Sequence, residues 1–154
     1  MANNFNITDT TQSPRGTVAG GDAGAGFVGE YISASVVQGS ATALTTATPK
    51  TVTSISLTAG DWDVTAVGAI TGASTGTVFD VAIGATTNSL TGTVLGDTRC
   101  QTPTVSLTGA DATLMLPAVR VSISATTPYY LIVQETFTIG SPAAYGRISA
   151  RRIR

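Results

Sequence analysis

Trp62, Val64, Ala66, Gly68 and Ile70 recur at every second position, with Asp61, Asp63 and Thr65 between them. A period of two places alternate residues on opposite faces of an extended chain, so the segment predicts a half-buried β-strand with Trp62 turned to the core. The opposite signal is missing throughout. No stretch repeats apolar residues at the 3.6-residue period over three helical turns, so the chain predicts an all-β fold.

Other segments fit the same reading. Val28–Val37 is β-branched and aromatic enough for a strand, and Val52, Ile55 and Leu57 mark a second. Thr58-Ala59-Gly60-Asp61 has the turn chemistry of a tight hairpin joining that second strand to the one that starts at Trp62. Phe79, Val81 and Ile83 alternate with Asp80 and Ala82. Thr113–Leu116 with Val119, Val121 and Ile123 predicts one or two strands broken near Pro117. Tyr129–Phe137 is apolar enough for a central strand, and Tyr145, Ile148 and Ile153 mark a last one. Residues 71–76, 84–93 and 97–101 read as loops. About eight short strands joined by Gly, Thr, Asn and Pro turns predict an antiparallel sandwich or barrel. Residues 1–26, rich in turn formers and poor in large apolar side chains, predict an extended arm held by a partner or neighbouring subunit, and residues 27–154 the β domain.

Charge narrows the function classes. Lys and Arg number 8 and Asp and Glu 9, so only 11% of residues are charged and the net charge is −1. A nucleic-acid binder needs clustered cations to displace phosphate counterions, so none is expected as a partner. No apolar run reaches the roughly 18 residues of a membrane helix. Met1-Ala2-Asn3-Asn4-Phe5 lacks the basic and apolar regions of a secretory signal, which predicts synthesis in a cytoplasm without a signal peptide. Weak self-repulsion suits a protein that assembles.

Catalytic chemistry finds few carriers. Histidine is absent, which removes imidazole bases and imidazole metal ligands. Cys100 beside Arg99 has no base to partner it and reads as an inert thiol. Asp61 and Asp63 project from one strand face, opposite the indole, as a solvated hairpin face with Asp61 capping the turn. A sugar hydrolase using Asp61, Asp63 or Glu135 is the weaker reading. Gly20-Gly21-Asp22-Ala23-Gly24-Ala25-Gly26 precedes no helix and is no phosphate cradle. The expectation is a protein without catalytic residues, metal or cofactor.

One charge feature stands out. Arg147, Arg151, Arg152 and Arg154 fall within the last eight residues. Strand alternation puts Arg147 and Arg151 with Tyr145 on one face, and Arg152 and Arg154 with Ile148 on the other. Arginines on a strand suit bidentate contacts with acidic groups of a neighbouring subunit. The expected contact residues are these four and Tyr145, together with Phe5 and Arg15 of the arm.

The stretch Thr51–Val64, containing Ser56-Leu57-Thr58-Ala59-Gly60-Asp61-Trp62-Asp63-Val64, resembles small tailed-phage virion proteins. Gly29-Glu30-Tyr31-Ile32 and the ending Gly146–Arg154 are similar to theirs, so the resemblance covers residues 28–70 and 129–154. The apolar-Thr-Ala-Gly-Asp-Trp pattern, with a later Tyr-rich strand and a closing strand, also resembles jelly rolls of the tumour necrosis factor-like type. The resemblance implies an antiparallel jelly-roll β-sandwich with an N-terminal arm, assembled as a homotrimer. It implies a capsid decoration (cement) or head-fibre protein on the virion surface, with the major capsid protein as partner. The alternative is a tail-fibre or receptor-binding tip that recognises a host surface glycan through loops 71–76 and 84–93. The chain departs from tail fibres in lacking a long repetitive stalk and a His-rich tip, and from tailspike hydrolases in lacking a carboxylate-dense groove.

Overall fold

The computed structural model describes residues 22–103, 106–108 and 110–154. Among them the chain forms ten strands: β1 (Tyr31–Val36), β2 (Thr42–Ala43), β3 (Lys50–Leu57), β4 (Gly60–Thr71), β5 (Ser74–Gly84), β6 (Arg99–Pro103), β7 (Ser106–Leu107), β8 (Ala112–Ile123), β9 (Thr127–Gly140) and β10 (Ala143–Arg152). The only helical piece among the described residues is a single 3₁₀ turn, Gln38–Ser40. The fold is all-β, as the alternation predicts.

The strands form two antiparallel sheets. The first runs β1-β10-β4-β8, with β2 beside β10; the second runs β3-β9-β5-β6, with β7 beside β5. They pack face to face as a sandwich. Core-facing positions from both meet between them: Trp62, Val64, Ile70 and Ile148 from the first sheet, and Leu57, Phe79, Val81, Leu131 and Val133 from the second, all fully enclosed. The approach is close. A Cβ on Gly68 would stand 2.7 Å from Val81 Cγ2 and 3.1 Å from Val133 Cγ2, so glycine there lets the two sheets touch.

Tyr129–Phe137 is central as expected, since β9 lies between β3 and β5. The segment around Pro117 is one strand carrying a bulge. Val64 pairs with Val119 and Ala66 with Leu116, so Pro117 and Ala118 together stand opposite Thr65. Proline has no N–H to give a ladder, and β8 is an edge strand where none is needed.

Four local expectations are corrected. The turn at 58–60 is no hairpin, because β3 and β4 belong to different sheets and the chain crosses the sandwich there. A hairpin and a crossover share the same turn residues, and long-range pairing selects between them. Residues 74–76 are strand: Ser74 pairs with Leu107 and Gly140, and bulges around Gly76 absorb the irregular register. Cys100 lies in β6, half-buried against the core. The first strand starts at Tyr31, because Phe27 and Val28 are exposed and Gly29 turns the chain at φ +92°.

One side chain holds the crossover in place. Arg152 ends β10 and points inward, only 5% exposed. Its Nε donates to Glu30 Oε2 at 2.9 Å, its Nη1 donates to the Ala59 carbonyl at 2.7 Å, and its Nη2 donates to Thr58 Oγ1. The guanidinium lies 4.3 Å from the centre of the Trp62 ring, in cation–π range, while the indole N–H donates to the Thr58 carbonyl at 2.9 Å. Gly60, at φ +143°, leaves the space the guanidinium occupies. Burial pushes the Glu30 carboxyl up; the Gly26 N–H at 2.7 Å and Arg152 outweigh it and hold it below its ordinary value.

A buried charge stripped of its partner is costly, so Arg152→Ala is expected to remove about 3–5 kcal/mol of stability. Urea midpoints measure it. A paired Arg152→Met and Glu30→Leu variant should recover most of that loss, because no charge is then left unanswered.

Candidate functional site

Strand β10 is hydrogen-bonded on both sides, so its outward side chains stand on a rigid base. Its register fixes rows across the outer face of the first sheet. One row reads Tyr31, Arg151, Asp63, Arg120; the next Ser33, Ser149, Thr65; a third Ser35, Arg147, Val67, Met115. Thr65 and Ser149 hydroxyls meet at 3.0 Å. Tyr31, Asp63, Thr65, Ser149 and Arg151 line a shallow open depression of about 210 Å³.

The expected contact residues divide on this frame. Arg147 and Arg151 are exposed on the outer face, as strand alternation predicts. Tyr145 shares that face, but its hydroxyl donates to Asp111 Oδ2 at 2.7 Å, and Gln38 Nε2 donates to the same carboxylate at 3.0 Å. That bond holds the Asp111 carboxyl below, and the Tyr145 hydroxyl above, their ordinary values. Arg152 faces inward with Ile148 and is enclosed, so it serves the fold and cannot reach a partner. This corrects its assignment as a contact residue. Arg154 lies beyond the strand and is largely exposed, and its Nε donates to Asp61 Oδ2 at 2.8 Å. Phe5 and Arg15 lie outside the described residues.

Asp61 is also corrected. In place of a solvated turn cap, it is nearly enclosed, taking Arg120 Nη2 at 2.9 Å as well as Arg154. Hydrogen bonding from Ser122, then from Arg154, holds its carboxyl below the ordinary value against the opposing effect of burial. The sandwich separates the acids considered for hydrolysis. Asp61 and Asp63 belong to the outer face of the first sheet, whereas Glu135 is fully buried in β9 of the second. Glu135 therefore faces neither of them across one groove. Among the described residues no group of three or more Cys, Asp or Glu is placed to hold a metal ion, and no helix is long and apolar enough to cross a membrane.

A second depression, about 370 Å³, opens where the loop after β5 meets β8 and β9; Gly84, Asp97, Arg120, Ser122 and Tyr129 are among its walls. Burial pushes the Tyr129 hydroxyl up from its ordinary value.

No protein-family model matches the chain, and no curated protein matches it.

The partners of the basic end were the part that sequence reasoning missed. Glu30 lies 122 positions from Arg152, and Asp61 lies 93 from Arg154. Their one local signal is a carboxylate placed in an apolar strand context, Glu30 before Tyr31-Ile32 and Asp61 before Trp62.

Glu135 carries a pH consequence. Its Oε1 accepts from Ser74 Oγ at 2.7 Å, and among the described residues its Oε2 has no hydrogen-bond partner and no cation offsets its burial, which pushes the carboxyl above its ordinary 4.5. The folded chain therefore keeps this proton to higher pH than the unfolded chain. The stability tied to it is complete below 4.5 and is lost as pH rises through the folded value. Denaturation midpoints should fall over that interval, and Glu135→Gln should flatten the fall.

Proposed function

We propose that this chain is a non-enzymatic phage virion structural protein, a capsid decoration protein that binds the outside of the head shell as a homotrimer. The observation that carries this reading is the outer face of the first sheet. It is broad and rigid, made of hydroxyl and small side chains, and two exposed arginines stand at its centre. Such a surface suits docking against another protein face.

Strand order supports a jelly roll. The eight principal strands split four and four between the sheets, successive strands repeatedly change sheet, and the first and last pair side by side. Trimeric association is supported by Val37 and Ile139, large apolar side chains that are 67% and 72% exposed and that association would cover. Three linked copies on a repeating shell turn modest single contacts into high avidity.

The alternative, a receptor-binding tip for a host glycan, draws on the depression beside loop 84–93. Asp97, Thr98 and Tyr129 are among its walls, residues of the carboxylate and hydroxyl kind that sugars engage. The other loop invoked for it, 71–76, is reduced to a two-residue turn between β4 and β5.

Two measurements test the reading. Sedimentation of the pure protein should give three chains per particle, and immunogold labelling should mark heads; tail-tip labelling overturns it in favour of the alternative. Deleting residues 1–22 leaves the Gly26 bond to Glu30 intact, so the domain is expected to stay folded. The same deletion is expected to abolish shell binding if the arm clamps neighbouring subunits. Undiminished binding of that variant removes the arm from the proposal.

A further inference from the structure

Six arginines lie among the described residues, and four have carboxylate partners within the chain. Arg99 meets Asp80 at 3.2 Å, Arg120 and Arg154 meet Asp61 at 2.9 and 2.8 Å, and Arg152 meets Glu30 at 2.9 Å. Arg147 and Arg151 are the exceptions. Neither side chain makes an ion pair or hydrogen bond with a described residue, both are exposed, and both project from the outer face of β10. At about 3.3 Å per residue, four residues separate them by about 13 Å along the strand. Ser149 lies between them, its hydroxyl already engaged with Thr65, so the floor between the two cations is low and flat.

The carboxylates of the described residues do not match this pair. Glu30, Asp61 and Asp80 are ion-paired, Glu135 is enclosed in the core, and Asp111 accepts from Tyr145 and Gln38. Of the remaining described acids, Asp22 and Asp97 lie on two different loops, one before β1 and one between β5 and β6. Asp63 shares the face, in the same row as Arg151. Two copies placed face to face would set both their Arg147 and Arg151 pairs against only two Asp63 carboxylates. Nucleic acid fits no better, since phosphates laid over Arg151 would also lie over Asp63.

We propose that the outer face of the first sheet docks a different protein through two carboxylates about 13 Å apart, one taken by each of Arg147 and Arg151. Subunit contacts of the homo-oligomer then lie away from this face. The inference rests on the decoration reading only for the partner's identity as a shell protein.

The test uses the full chain, its Arg147→Glu/Arg151→Glu variant, shells stripped of this protein, and immobilised poly-L-glutamate at low salt. The variant is expected to keep the wild-type oligomeric mass and thermal midpoint while binding shells and poly-L-glutamate about tenfold or more weakly. Equal binding of both forms to both probes overturns the inference. A changed oligomeric mass overturns it too, by making the face a self-contact, and arginine-dependent binding of duplex DNA replaces the protein partner with nucleic acid. If neither form binds shells but poly-L-glutamate still separates them, the acidic-partner inference stands and the decoration reading falls.

Discussion

A buried guanidinium organises one end of this sandwich. Removing arginine from water is tolerable only when its donors are met, and Arg152 meets Glu30, Ala59 and Thr58 while its flat face covers Trp62. Those contacts come from the entry to β1, the end of β10, and the crossover from β3 to β4. One charge thus joins the first strand, the last strand and a change of sheet. The adjoining backbone extends the tie, with Arg152 N–H bonded to the Glu30 carbonyl and Gly29 N–H to the Arg152 carbonyl, each at 2.9 Å.

That arrangement divides a run of similar residues by role. Arg151 and Arg152 are neighbours in sequence, yet one is exposed and the other enclosed, because a strand turns successive side chains to opposite faces. Arg154, past the strand, reaches back to Asp61 and ties the final residues to β4. Exposed and without an ion pair among the described residues are Arg147 and Arg151, held on a strand braced from both sides. A cation fixed this way loses little conformational freedom on binding, which favours recognition of a partner with matching spacing.

The candidate surface was half legible in the sequence. Alternation along 145–152 places Arg147 and Arg151 together and Arg152 with Ile148, and the structure has them so. What alternation cannot show is which face is enclosed, and with it which arginines have partners inside the chain. Glu30 and Asp61 lie far from their arginines in sequence, so no local pattern links them. The same gap misread 58–61 as a hairpin: the turn residues were identified rightly, but pairing between distant strands decides whether a turn returns the chain to its own sheet or sends it to the other. Pro117 shows the opposite case, because a residue without an N–H leaves a mark in any ladder, and the break read near it is the bulge observed.

The sequence by itself determined the β character, most of the strands and which residues share a face, because a period of two is local and a missing helical period excludes the alternative. It also removed imidazole chemistry outright through the absence of histidine. Tertiary structure alone decided which strands share a sheet, that β1 and β10 lie side by side, and that among the described residues Glu135 is enclosed without a counter-charge and two arginines remain without a carboxylate. Each of these depends on contacts between residues distant in the chain, and such contacts are set by how two apolar sheet faces close on one another.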